Sequence, residues 1–175
     1  MTCLIHTLIL MGHAIAENVG DSVKLAGGKE MNLEKAKAIA DTVVKALEPY
    51  CDRVVVAGSI RRQKPAVRDI DLVVIPRDRQ KLDSALMKMG NYKMSGMKIA
   101  RVELDSIPLD IYFATPETFA TLLLIRTGSV ESNIRLATRA KKRGWRLAAS
   151  GDGLFNEKGE RIAGDSEESI YQALG

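Results

Sequence analysis

Val54-Val55-Val56-Ala57-Gly58-Ser59-Ile60-Arg61-Arg62 and, after a polar connector, Asp69-Ile70-Asp71-Leu72-Val73-Val74-Ile75 decide how this chain reads. The pattern is strand, glycine turn, short helix, strand. Side chains alternate along a strand, so residues two apart point the same way. Asp69 and Asp71 therefore project together, with Ile70 and Leu72 on the opposite, buried face. Two neighbouring carboxylates oppose each other's ionisation. A hard divalent cation bound through oxygen relieves that repulsion and leaves positions open for substrate phosphates. The Gly58-Ser59 turn just before them suits phosphates, because glycine lets the backbone approach a ligand and the amides that open a helix attract anions. Arg61 and Arg62 add fixed positive charge with planar donors. These residues imply a metal-dependent enzyme acting on a nucleotide polyphosphate.

Outward from this stretch, the chain has the length for one good core or two small ones sharing an interface: 175 residues, 46% hydrophobic and 27% charged. The net charge of +4 permits a nucleic-acid partner without demanding one. Cys3 and Cys51 have no paired spacing, which excludes a zinc or disulfide framework and reads as two reduced thiols in a cytoplasmic protein. His6 and His13 stand away from other ligand types. The apolar run from Cys3 to Met11 is too short to span a bilayer and lacks the basic start of a secretory signal. Residues 1–30 are left unassigned, with Gly20, Gly27 and Gly28 breaking any long helix.

Upstream of the deciding stretch, Asn32 caps a helix with Leu33, Ala36, Ala40, Val43 and Leu47 at helical spacing, ended by Pro49. The two strands are expected at Arg53–Ala57 and Ile70–Ile75. Downstream, a second amphipathic helix covers Arg79–Met89, strands cover Tyr92–Met94 and Met97–Leu104, and another covers Ile107–Phe113. Asp110 lies in the middle of that last strand, among Leu109, Ile111, Tyr112 and Phe113. Buried there it needs a partner or a metal; the bland alternative is a carboxylate on an open strand face. If this strand lies beside Ile70–Ile75, Asp110 joins Asp69 and Asp71.

After Thr115 the character changes. Pro116 and Glu117 suit the first turn of a helix running to Ile125. Thr127-Gly128-Ser129 interrupts it. The next helix ends at Gly144 and carries Asn133, Leu136, Ala137 and Ala140 on one face, with Arg135, Arg139 and Lys142 opposite and Arg146 just beyond. The basic residues form either a solvated face or a line of phosphate contacts; with no acidic residue from Arg139 to Arg146, phosphates are favoured. Trp145 reads as a packing residue. A Gly151-Asp152-Gly153 turn and short extended segments follow, and a helix begins at Ser166.

Together these segments resemble the nucleotidyltransferase superfamily core, and over residues 32–175 DNA polymerase family X. Val56-Ala57-Gly58-Ser59-Ile60-Arg61-Arg62, Asp69-Ile70-Asp71-Leu72-Val73 and Leu109-Asp110-Ile111 carry the core resemblance. Thr127-Gly128-Ser129 with Asn133, and Gly159-Glu160-Arg161-Ile162-Ala163-Gly164 with Tyr171-Gln172-Ala173-Leu174-Gly175, carry the longer one. The resemblance implies an α+β fold: a nucleotidyltransferase palm, a mixed sheet with flanking helices, over residues 31–115, then a small α/β thumb over 116–175. It implies that Asp69, Asp71 and Asp110 bind two Mg²⁺ ions, with Mn²⁺ as a substitute, and are the catalytic carboxylates. Gly58, Ser59, Arg62, Arg68, Thr127, Gly128, Ser129 and Asn133 would contact the nucleotide. Arg135, Arg139, Lys142 and Arg146 would contact nucleic acid. The implied partners are a DNA primer-template or gapped DNA and a dNTP, handled by a monomer without a membrane, in gap filling or short repair synthesis.

The departures are specific. The family generally has an amino-terminal helix-hairpin-helix domain, for which residues 1–30 are too short. Ile125 and Arg126 stand where the family often has an aromatic pair, Arg68 where it often has glycine, and Pro108 where an arginine is common. A template-independent or non-DNA nucleotidyltransferase on the same palm, and a non-catalytic nucleic-acid-binding module, remain alternative readings.

Overall fold

The computed structural model describes residues 30–175. The readings of Cys3, His6, His13 and the Cys3–Met11 run lie outside the described residues. The fold is α+β, with a mixed five-stranded sheet, a small three-stranded sheet and flanking helices.

A two-residue strand β1 (Met31–Asn32) leads into α1 (Leu33–Leu47), where the Asn32 side chain accepts from the Lys35 amide as an N-cap. Ala36, Ala40, Val43 and Leu47 are buried, as their spacing requires, and a single 3₁₀ turn holding Pro49 follows. The first long strand, β2, spans Cys51–Val56, beginning two residues earlier than the apolar run suggested because Cys51 pairs with Pro76 across the sheet. A four-residue helix, α2 (Gly58–Arg61), and a short strand, β3 (Ala66–Val67), pairing with β1, connect to β4 (Ile70–Pro76). Asp69 thus immediately precedes the strand rather than lying in it. The β1–β3 pair has no sequence signal, since two residues carry no periodicity.

Helix α3 (Arg79–Met89), capped by Asp78, and strands β5 (Asn91–Ser95), β6 (Ile99–Leu104) and β7 (Ile107–Phe113) complete the large sheet. Its order is β2-β4-β7-β6-β5. Only β4 and β7 run parallel, and the helix and hairpin between them form the crossover. One sheet face, including Ile70, Leu72, Val74, Leu109 and Ile111, packs against the buried residues of α1 and α3. Cys51 is a buried free thiol there, its pKa pushed up to about 11 chiefly by burial.

The other face is covered by α4 (Phe119–Thr127), whose Phe119, Leu122 and Leu123 pack on Ala57, Val73 and Tyr112. Pro116 and Glu117 lie in the turn before α4 rather than in its first turn: the Thr115 amide donates to the Thr118 side chain, which closes that turn. Leu124 faces a separate core with Leu136 and Ala140 of α5 (Val130–Lys142), Leu154, Ala163, and Ile170 and Leu174 of α6 (Glu167–Leu174). Helix α4 therefore belongs to both cores. Strands β8 (Arg146–Leu147), β9 (Leu154–Phe155) and β10 (Arg161–Ala163) form the small sheet, and Trp145 packs against its core. Ala137 is exposed, because the buried arc of α5 is narrow enough to take only Leu136 and Ala140 fully.

Candidate active site

The parallel register of β4 on β7 pairs Asp71 with Asp110, and the antiparallel register of β6 on β7 pairs Asp110 with Arg101. Paired positions share a face, so Asp71, Asp110 and Arg101 form one row across three strands. The next row is Val73, Tyr112 and Ile99, which α4 covers. Asp110 is 5% exposed and therefore not the carboxylate of an open strand face. Its two oxygens accept from Arg101, Nε at 2.6 Å and a terminal nitrogen at 2.5 Å. The Tyr112 hydroxyl donates to Asp110 at 3.4 Å.

Asp71 has no such cation pair among the described residues. Burial, and then the charges of Asp69 and Asp110, push its carboxyl up to about 7, against a hydrogen bond from Tyr112 and the charge of Arg126. The same surroundings, burial first, hold the Tyr112 phenol well above its ordinary range. Asp69, Asp71 and Asp110 thus lie close enough to oppose ionisation at Asp71. Repulsion of that kind is what a hard divalent cation would relieve. Among the described residues no three His, Cys, Asp or Glu side chains stand arranged to hold an ion; both oxygens of Asp110 are turned to Arg101.

Gly58 closes one side of the site. It has φ +56°, and a Cβ there would fall 1.9 Å from Asp71 Oδ2. The preceding Ala57 amide donates to the Asp71 carbonyl at 2.8 Å, locking the turn to β4. Among the described residues, Ser59 Oγ and Arg62 Nε are buried without a hydrogen-bond partner. An unsatisfied buried donor is costly, and here two flank the turn beside Asp71. Arg68 points elsewhere: its guanidinium is paired with Glu30 at 2.7 Å.

Arg62 also donates to the Thr127 carbonyl, and Arg61 donates to Thr127 Oγ1 at 2.9 Å and to both oxygens of Glu167 at 2.7 and 3.1 Å. The turn beside Asp71 is thereby tied to Thr127-Gly128-Ser129 and to α6. Ser129 caps α5, accepting from the Ser132 amide at 3.2 Å. Asn133 Nδ2 donates back to the Ile125 carbonyl at 2.9 Å, and its Oδ1 is buried with no partner among the described residues. A Cβ at Gly128 would lie 2.5 Å from that oxygen.

The basic residues are dispersed in their roles. Arg135 and Lys142 are exposed on α5. Arg139 donates to the Gly175 carbonyl, and the Arg146 guanidinium lies 4.8 Å from the centre of the Phe155 ring. Sequence reasoning missed Arg101, Tyr112 and the Arg61–Glu167 tie. Arg101 had a signal. Leu104 pairs with Ile107 around a two-residue Asp105-Ser106 turn, with φ of 46° and 71°. Counting back along both strands from such a turn meets Arg101 opposite Asp110. Arg126 lies 4.2 Å above the Tyr112 ring, with a buried Nε that has no hydrogen-bond partner among the described residues.

The family description DNA polymerase beta thumb matches residues 122–175. The chain is also similar to a Bacillus subtilis (strain 168) protein named DNA polymerase/3'-5' exonuclease PolX, at 31% identity over 125 residues. That match takes in 68% of this chain and 22% of the relative, so the chain spans about a fifth of the relative's length.

Proposed function

Because the chain is a family X DNA polymerase-like protein, we propose that it is a DNA polymerase that adds deoxynucleotides to a primer 3′-hydroxyl, filling short gaps in repair. We propose the division into palm (31–115) and thumb (116–175), and a monomer working in the cytoplasm, a reducing setting that suits the free Cys51 thiol. The observation that carries the reading is the β4–β7 register, with Asp71 beside Asp110 at the Gly58 turn. Asp69, Asp71 and Asp110 would hold two Mg²⁺ ions. When bound, these would supply Lewis acidity to the primer hydroxyl and to the leaving pyrophosphate.

The chain's own groups then divide the work. Ser59 Oγ and Arg62 Nε, both unpartnered, meet triphosphate oxygens, joined by the amides that open α2. Gly58, without a Cβ, leaves the Asp71 carboxylate room beside the turn. Thr127-Gly128-Ser129, held by Arg61 and Arg62, shapes the edge beside the incoming sugar, and the free Asn133 Oδ1 accepts from a base edge. Arg135, Lys142, Arg139 and Arg146 follow the phosphates of the primer-template. Arg68, already paired with Glu30, reaches a nucleotide only by releasing it.

Primer extension on gapped, recessed and single-stranded DNA with Mg²⁺ tests the proposal. Template-directed addition lost in Asp110→Asn is the expected result. Equal addition to single-stranded primer would replace it with the template-independent reading. DNA binding without addition by the wild-type chain would leave a binding module.

A further inference from the structure

A half-enclosed cavity of about 140 Å³ opens between the sheet, α4 and the loop after β8. Tyr112 lines it, one row along the sheet from Asp71 and Asp110. Two cationic side chains line it, Lys98 and Arg126, and no carboxylate does. Lys98 directly precedes β6, and its carbonyl accepts from the Phe113 amide at 3.0 Å, which anchors it at the end of the β6–β7 pair. Arg126 stands one turn after Leu122 on α4, so both face the cavity. Ser150 closes another side. Its loop is held by Gly151, φ +95°, which packs so close to α4 that a Cβ there would fall 2.8 Å from Leu122 Cβ. Three separate parts of the chain therefore build this space.

Neither Lys98 nor Arg126 belongs to an ion pair among the described residues. Arg126 lies over the Tyr112 ring, which fixes its guanidinium, and its buried Nε has no hydrogen-bond partner among the described residues. The Arg126 charge reaches Asp71, but that carboxylate sits in the neighbouring row and does not line the cavity. Ser150 gives its hydroxyl hydrogen to Asp152, so the two cations are the donors available to a ligand. Like charges facing one space repel, and an anion between them removes the repulsion while taking up their donors. The volume is well below the roughly 300 Å³ at which pockets for drug-sized ligands begin, so it suits an ion-sized group rather than a whole nucleoside. We propose that this cavity binds one phosphate group, either a free oxyanion or a phosphate of a nucleic-acid backbone. Arg126 supplies the fixed planar donors and Lys98 the mobile charge, and the bound phosphate bridges β6 to α4. The site uses none of the residues of the Gly58 turn and is independent of the polymerase reading.

Nuclear magnetic resonance of the full chain, with EDTA present, tests this. Inorganic phosphate is titrated against chloride at constant ionic strength, and the Arg126 Nε–H resonance is followed. A saturable shift is expected. Its affinity should weaken about threefold to fivefold in Lys98→Gln, the loss of one exposed charge partner, and hold in Lys88→Gln, which removes an exposed charge from α3 instead. The Lys98 side chain is exposed, so its replacement leaves the packing intact. A short single-stranded oligonucleotide, titrated in the same way, separates the two sources. A Lys98-dependent shift at lower concentration than phosphate assigns the site to a nucleic-acid backbone, and a shift with phosphate alone assigns it to a free oxyanion. No saturable shift with either probe overturns the proposal. So does a shift of equal affinity in Lys98→Gln, or one weakened as much in Lys88→Gln.

Discussion

Gly58 and Asp71 share one space: the carboxylate of Asp71 occupies the position where a side chain at residue 58 would begin, 1.9 Å from an ideal Cβ. Neither residue can be understood alone. The glycine is required twice, by its positive φ and by the carboxylate pressed against it.

Gly58→Ala must therefore strain the turn and displace Asp71. The expected loss of stability is about 1–3 kcal/mol, from overpacking and from the left-handed backbone. Thermal melting measures it. Mn²⁺ affinity falls in parallel if Asp71 is a ligand. An alanine variant with wild-type melting temperature would show that the turn has slack that the geometry denies.

The raised carboxyl of Asp71 gives a stability prediction for the metal-free protein. Its pKa goes from 3.8 to about 7 on folding. Between those values the folded chain keeps a proton that the unfolded chain has released. Stability from this group is therefore full at low pH, declines as pH rises through that window, and is flat above it. With EDTA present at pH 8, Asp71→Asn is expected to be more stable than wild type by on the order of 1–3 kcal/mol. At pH 4 the two should nearly coincide. Urea melts at both pH values decide, and a destabilised Asp71→Asn at pH 8 would overturn the burial argument.

Arg61, the first arginine after the glycine turn, ties that turn to α6 through two bonds to Glu167. A double-mutant cycle of Arg61→Ala and Glu167→Ala is expected to give a coupling of about 0.5–1.5 kcal/mol, less in high salt because both side chains are partly exposed. Arg61→Ala also releases Thr127 Oγ1, leaving only the Arg62 bond to its carbonyl, so if this turn meets a nucleotide as proposed, nucleotide affinity should fall more than stability does. Additive single variants would reduce the contact to a surface ion pair of no consequence.

Arg135 and Lys142 are exposed cations of α5, as is Lys141, whereas Arg139 is bonded to the Gly175 carbonyl. Replacing both Arg135 and Lys142 with Gln is expected to lower the salt-dependence slope of duplex DNA binding by about 1.8. An unchanged slope would make this face a solvated one.

The legible part of the fold was the part with periodicity. Asn32 as a cap, α3 over Arg79–Met89 and β7 over Ile107–Phe113 were readable because apolar spacing and capping chemistry are local. The turn before α4 was misread, since Pro116 is at home both in a first helical turn and in the Thr115–Thr118 turn that actually forms. Of the candidate site, Gly58, Ser59, Asp69, Asp71 and Asp110 are legible by type and spacing. Their partners did not: Arg101 reaches Asp110 across a hairpin, and Arg61 reaches Glu167 across more than half the described chain.

By itself the sequence determined the glycine turn, the three carboxylates and the alternation that puts Asp71 opposite the apolar face of β4. Each depends on bonds between near neighbours along the chain. Only the tertiary structure decided that Asp110 is closed by Arg101, that Arg68 is spent on Glu30, and that Thr127 is held by Arg61 and Arg62. Those outcomes depend on strand register and helix docking. A charge's partner is chosen by what packing brings within a few ångströms, and no local spacing encodes that distance.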